Sequence, residues 1–255
     1  MSRSVGVVLP AYRPDTEQLG TYIAAIDDAL EPQTIVVELD APRDGVPAQL
    51  RSLPVEVHTV PYRRGKGAAI TAGFERMETD VLAFVDADGS TPVASLERIL
   101  APVTEGRTDL AVGSRRHPDA IVASHQTFAR RFLGDGFAWL AGQLLDVRLY
   151  DYQCGAKAID AAAWERVRDH LYEPGFAWDV ELIAITAALD LCIEEVPIEW
   201  EDKPGSTVSP IRTSIDLLEA VLTARHRSKQ LRDDRFHTAL AEHLDDPTAL
   251  IEKNR

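Results

Sequence analysis

Strand-like apolar runs alternate with helix-like stretches through the first half of the chain, and nothing else constrains its fold as tightly. The runs are Val5-Gly6-Val7-Val8-Leu9, Ile35-Val36-Val37, Val55 to Val60, Val81-Leu82-Ala83-Phe84-Val85 and Leu110-Ala111-Val112. Helical patterns lie between them at Thr16 to Leu30, Lys66 to about Met77 and Ala94 to Val103. Continuous apolar strands separated by helices predict an α/β fold, a mostly parallel sheet covered on both faces. In such sheets ligands bind outside the carboxyl ends of the strands. Pro10-Ala11-Tyr12 follows the first run, Glu38-Leu39-Asp40 the second, Asp86-Ala87-Asp88 the fourth and Gly113-Ser114-Arg115-Arg116 the fifth. A parallel sheet brings these tips to one rim.

The second half is less regular. Phe128 to Leu145, Trp178 to Leu189 and Asp216 to Arg232 read as helices, and Ile193 to Trp200 as one strand. Tyr150 to Gly155 and Glu201 to Ser206 read as loops. From Asp233 the chain is polar, so residues 1–232 are expected to form one domain and 233–255 a polar C-terminal helix or tail.

Asp86-Ala87-Asp88 admits two readings. Asp, Gly and Ser are turn formers, and a turn alone explains the tripeptide. Two carboxylates one residue apart also suit a hard divalent ion such as Mg²⁺ or Mn²⁺, and the shared rim favours the ion. Arg64-Gly65-Lys66-Gly67 opens a helix after a strand, where amides and an ammonium favour phosphate; a capped helix start accounts for it equally well. It matches neither the phosphate loop of ATPases nor the dinucleotide fingerprint.

Charge excludes one class of partner. Asp and Glu number 41 against 27 Lys and Arg, a net charge of −14, opposite to what nucleic acid phosphates require. Cys154 and Cys192 are too few for a disulfide scaffold. No apolar run approaches a bilayer span, and Met1 to Ser4 leads directly into a strand, so a cytoplasmic protein docking at a membrane surface is expected.

Taken in order, Leu9-Pro10-Ala11-Tyr12, the acidic second tip, Gly65-Lys66-Gly67, Asp86-Ala87-Asp88 and Gly113-Ser114-Arg115 resemble the family 2 glycosyltransferases of the GT-A fold. Gln153-Cys154-Gly155-Ala156-Lys157, Trp178-Asp179-Val180-Glu181-Leu182, Val196 to Trp200 and Gly205-Ser206 look like the dolichyl- and polyprenyl-phosphate mannosyl- or glucosyltransferases within it. The resemblance covers about residues 5–210. It implies a GDP- or UDP-hexose donor held with Mg²⁺ or Mn²⁺, and inverting transfer of the hexose to a polyprenyl phosphate. Carried over, Pro10, Ala11 and Tyr12 would frame the nucleotide, Asp40 would bond its base or ribose, and Lys66 and Ala87 would lie along the donor. Asp86 and Asp88 would hold the metal, Asp88 as its principal ligand. Arg115 would meet anionic oxygens where donor and acceptor approach; Asp151 and Gln153 would line the sugar pocket. Arg131 and Lys203 would meet the acceptor phosphate.

Three positions depart from the pattern. Leu39 separates two acids that are usually adjacent. Pro14 stands where an acid is common, with Asp15 one step later. Thr207 stands where many members carry Lys, which passes that role to Lys203, to Arg212 or to nothing. Arg130-Arg131 among Phe128, Phe132, Phe137 and Trp139 reads either as a helix packed on the sheet or as a basic, apolar mouth for an isoprenoid phosphate. Transfer to a small soluble acceptor such as a glycerate, and a sugar-nucleotide nucleotidyltransferase, are the rival activities.

Overall fold

The computed structural model describes residues 3–123, 128–201, 210–232 and 248–253, with side chains for all of these except 123–135 and 210–217. The strands are β1 (Val5–Tyr12), β2 (Thr34–Asp40), β3 (Glu56–Val60), β4 (Val81–Val85), β5 (Leu110–Ser114), β6 (Ile121–Ala123), β7 (Ala156–Asp160), β8 (Ile193–Pro197) and β9 (Glu199–Glu201). The helices are α1 (Thr16–Leu30), α2 (Val46–Leu50), α3 (Lys66–Phe74), α4 (Val93–Thr104), α5 (Phe128–Leu144), α6 (Ala161–Val167), α7 (Trp178–Ala188), α8 (Pro210–Leu231) and α9 (Leu250–Lys253). Among these residues no helix is long and apolar enough to cross a membrane.

Seven strands form the central sheet in the order β3-β2-β1-β4-β7-β5-β8. All neighbours are parallel except β7, which runs antiparallel to both β4 and β5. Alternate side chains of each strand enter opposite layers, so both must be apolar, which is why the strands read as unbroken apolar runs. Val7, Leu9 and Ala11 pack with Leu19, Ile23 and Ile26 of α1 and Leu96 and Ile99 of α4. Val8, Leu82 and Phe84 pack with Ile70 and Phe74 of α3, Trp164 of α6 and Trp178 of α7. Each fully buried Leu, Ile or Phe contributes roughly 1.5–3 kcal/mol.

α1 shows how local signals cooperate. Its buried residues Leu19, Tyr22, Ile23 and Ile26 recur at helical spacing. Asp15, the acid displaced by one position, caps it by accepting from the amides of Glu17 and Gln18, both at 3.1 Å.

Several sequence expectations are corrected. Pro10-Ala11-Tyr12 does not follow the first strand but lies within β1, paired with Glu38, Leu39 and Asp40, which likewise lie within β2. The expected strand from Ile193 to Trp200 is two: β8 extends the central sheet beside β5, and β9 pairs with β6 in a separate ribbon. Pro197, which has no amide hydrogen, stands at the break. β7 and α6 were not expected at all, and the helix expected from Asp216 begins at Pro210. Within the expected C-terminal tail, α9 buries Leu250 and Ile251, Leu250 in the α3 layer with its amide on the Leu171 carbonyl at 2.8 Å. Residues 233–247 lie outside the described residues.

Candidate active site

β1, β2, β4 and β5 end at one rim, and β7, being antiparallel, starts there. The reversal carries Tyr150 to Gly155 to the same place as Asp86-Ala87-Asp88. The Asp86 amide donates to the Gly155 carbonyl at 2.8 Å, fixing the two segments together. A Cβ on Gly155 would fall 1.7 Å from Oδ2 of Asp86, so the close approach requires glycine there.

The Asp86 side chain is 39% exposed through the open side of the cleft, and its Oδ1 lies 3.0 Å from Nζ of Lys66. Surrounding protein pushes its carboxyl above the ordinary value; Lys66 opposes this, while Asp88 and Asp179 add to it. Asp88 is exposed. Its Oδ1 accepts from the amide and hydroxyl of Ser90, at 2.9 and 2.6 Å, while Gly89 turns the chain at φ +66°. Ala87 is half-buried between the two acids.

Lys66 does not use its helix end as a phosphate cradle. The amides of Gly67 and Ala68 donate to the carbonyls of Gly175 and Pro174, at 3.3 and 3.1 Å. Gly65 adopts φ +105°, and a Cβ there would meet the Pro174 carbonyl oxygen at 2.3 Å. These glycines therefore serve close packing against residues 173–178, and Lys66 alone of the motif offers a charge toward Asp86.

Asp40 is buried and already occupied. It accepts from the Arg64 amide at 2.6 Å, from Arg64 Nε at 2.8 Å and from the Gly65 amide at 3.2 Å. Glu38, also buried, pairs with Arg64 and Arg76. The two acids hold the turn after β3 against the sheet, and Asp40 pairs in register with Tyr12 at the rim. Tyr12 is 41% exposed, with the Arg63 guanidinium 4.5 Å and that of Arg13 5.2 Å from its ring centre. Pro10 and Ala11 sit below it in β1, Ala11 buried.

Arg115, one step past β5, forks onto Asp151 through Nε and Nη2, at 2.7 and 3.1 Å. Burial disfavours its charge, but Asp151 outweighs that and holds its pKa above the ordinary value. Burial likewise raises Asp151, and Arg115 more than reverses this. Arg115 faces the Trp200 ring at 5.6 Å and feels the charge of Asp86. Glu195 anchors the loop beneath by accepting from the amides of Tyr150 and Asp151, at 2.9 and 2.8 Å. The Gln153 amide donates to Asp151 at 3.0 Å. The side chain of Arg131 and all of Lys203 lie outside the described residues.

Sequence reasoning gave no role to Asp179, Lys157, Arg63 or Glu195. The signal for the first two was a charge inside an apolar stretch: Lys157 in β7 and Asp179 at the start of α7. Both are buried, with Lys157 Nζ 2.6 Å from Asp179 Oδ1.

No cluster of three or more His, Cys, Asp or Glu with metal-binding geometry occurs among the described residues. Asp86 and Asp88 are hard oxygen donors that both reach solvent at the rim; they would suit a divalent ion such as Mg²⁺, for which substrate phosphate oxygens and water would supply the other ligands.

With this geometry in place, residues 7–129 match the family described as glycosyl transferase family 2. These residues belong to that family. Over 233 residues, 86% of this chain, the sequence is 29% identical to glycosyltransferase AglD of Haloferax volcanii. Over 211 residues, 80% of this chain, it is 30% identical to dolichyl-phosphate beta-glucosyltransferase of Mus musculus. The chain spans 36% and 63% of those proteins' lengths. Among solved structures it is similar to glucosyl-3-phosphoglycerate synthase of Mycobacterium tuberculosis in complex with Mn²⁺, UDP-glucose and glycerol 3-phosphate. That likeness has a TM-score of 0.66 at 16% identity, covering 87% of this chain and 80% of the other. The fold is GT-A, and the glycosyltransferase family 2 segment starts within β1 and contains β2 to β5, hence Asp86, Asp88 and Arg115. Asp151, Asp179 and β7 lie beyond it.

Proposed function

We propose that the chain transfers a hexose, with inversion, from a nucleoside diphosphate sugar to a polyprenyl phosphate, in a reaction that depends on a divalent cation. The observation that carries this reading is the convergence of Asp86, Asp88 and the Arg115–Asp151 pair on one sheet rim. The curated relatives named for dolichyl-phosphate glucosylation support the acceptor, and the Mn²⁺-containing GT-A neighbour supports the cation.

The leaving group is a nucleoside diphosphate, and the barrier is charge building on its bridging oxygen as the bond to the anomeric carbon breaks. A cation held by Asp86 and Asp88 would stabilise that charge. The new bond forms from a phosphate oxygen of the acceptor on the opposite face of the sugar. That oxygen is already ionised near neutral pH, so no strong general base is needed.

Two unit charges about 4 Å apart repel by roughly 4 kcal/mol at an effective dielectric near 20. The acceptor therefore needs cations of its own. Arg115 remains charged throughout and keeps Nη1 off its pair with Asp151, so it can face an anionic oxygen. Arg131 and Lys203 complete the acceptor side of this reading, Tyr12 with Arg63 the nucleotide side, and Gln153 the sugar side. Exposed Trp139 on α5, with Leu218 and Leu222 on α8, would favour contact with a bilayer surface at the cytoplasmic face.

The test is radiolabelled transfer from UDP-glucose and from GDP-mannose to a polyprenyl phosphate in vesicles, with 3-phosphoglycerate as competing acceptor. Label in the lipid, abolished by EDTA and restored by Mg²⁺ or Mn²⁺, is expected. Label in the phosphoglycerate alone would replace the lipid acceptor with a soluble one.

A further inference from the structure

Four charged side chains form an unbroken row from the interior of the protein to the cleft. Lys157 Nζ lies 2.6 Å from Asp179 Oδ1, Asp179 Oδ2 lies 3.1 Å from Lys66 Nζ, and Lys66 Nζ lies 3.0 Å from Asp86 Oδ1. Both ammonium groups also face the ring of Phe84, at 5.2 and 5.6 Å. Lys157 has a further partner in the Cys154 carbonyl at 2.7 Å. Asp179 is 1% exposed.

We propose that Asp179 is a positioning residue that acts through Lys66 to hold Asp86 in the orientation that receives a divalent cation together with a nucleoside diphosphate. This inference rests on the transferase reading above and deepens it.

Asp179 is buried behind the cleft and reaches it through Lys66. Each of its oxygens is committed to an ammonium group, so it cannot serve as a base or a ligand. Nor is it simply the counterion of Lys157, because that duty would engage one oxygen and leave the other without a reason to meet Lys66. Lysine is a point charge on a flexible stem. With Asp86 as its only partner, Lys66 could follow that carboxylate wherever it turned. With a second carboxylate anchored behind it, Lys66 becomes a fixed post. Asp86 is then pinned from three sides: its amide on the Gly155 carbonyl, Oδ2 over the vacant Cβ position of Gly155, and Oδ1 on the Lys66 post. Burial of Asp179 serves the same end. Burial disfavours its charge, but Lys157 and Lys66 together keep its carboxyl below the ordinary value, so the anchor is charged whenever the cleft is at work.

A buried ion pair broken on one side leaves an uncompensated charge, so Asp179→Asn alone combines lost positioning with a stranded lysine. The decisive variant is therefore Lys157→Met/Asp179→Asn, which removes one charge of each sign from the interior and leaves the Lys66–Asp86 pair in place. Full-length wild type and both variants are titrated with Mn²⁺ at saturating UDP, and separately GDP, free Mn²⁺ being read by electron paramagnetic resonance and folding by thermal melting.

Asp179→Asn is expected to weaken Mn²⁺ binding at least tenfold and to lower the melting temperature. The double variant is expected to recover the melting temperature while its Mn²⁺ affinity stays at least tenfold weak. A double variant that binds Mn²⁺ within twofold of wild type would reduce Asp179 to a counterion of Lys157 and overturn the inference, leaving the transferase reading intact. Failure of wild type to bind Mn²⁺ with either nucleotide would overturn both.

Discussion

Nε and Nη2 of Arg115 meet Oδ2 and Oδ1 of Asp151 at 2.7 and 3.1 Å, so two side chains 36 residues apart form a planar fork at the mouth of the cleft. The pair is one-sided: Asp151 is buried, while Arg115 keeps 26% of its side chain exposed. Such a pair contributes little net stability when whole, because desolvation offsets attraction, but removing one partner strands a buried charge. Arg115→Ala should therefore lower the urea midpoint by an amount worth about 3 kcal/mol, while Arg115→Lys should cost less. In transfer assays Arg115→Lys should lose at least tenfold in kcat with donor affinity kept, since a point charge cannot both hold Asp151 and face an anionic oxygen. An unchanged kcat in Arg115→Lys would remove Arg115 from the reaction.

Gly155→Ala is a substitution of one methyl group with a large expected effect. The new Cβ would sit 1.7 Å from Oδ2 and 2.2 Å from Cγ of Asp86, so the carboxylate must swing away. Displacement of a reacting-site group by about 1 Å costs on the order of 100-fold, and turnover should fall by at least that much. Circular dichroism should show the secondary structure retained. Near-normal turnover would mean that the Asp86 orientation does not matter.

Asp88→Ala separates folding from cation binding. Asp88 is exposed and holds only the local turn through Ser90, so its loss should cost about 1 kcal/mol or less in stability. Mn²⁺-dependent stabilisation by UDP or GDP, read as a thermal shift, should vanish along with transfer. A variant that keeps the shift would place the cation elsewhere.

The paired acids also set an acid limit. Asp151 has its folded pKa held below the ordinary carboxylate value by Arg115. Between the folded and unfolded values the unfolded chain binds more protons, so stability rises with pH there. This contribution is complete above the ordinary value, near 4, and is lost as pH falls through the depressed one. Asp151→Asn cannot titrate, so chemical denaturation between about pH 5 and pH 2 should show a shallower fall in its stability than in wild type. Parallel curves would show that the pair does not govern acid unfolding.

The sequence alone determined the α/β class, the order of the first five strands, the extent of α1 and the tip residues Asp86, Asp88 and Arg115. These are local properties: an apolar run fully buried in a parallel sheet must be continuous, and turn residues must follow it. What it could not determine was β7. Ala156-Lys157-Ala158-Ile159-Asp160 carries a charge at its second residue and little β-branched character, so no local rule marks it as a central strand. It is one because Asp179, 22 residues away, neutralises Lys157 inside the core. Reversal of that strand is what places Asp151 against Arg115 and Gly155 against Asp86. The occupied state of Asp40 is likewise tertiary, since Arg64 reaches it only when β3 lies beside β2. Periodicity records which face a residue presents; the partner that makes a buried charge tolerable is chosen by contacts across the chain, and those exist only once the sheet has closed.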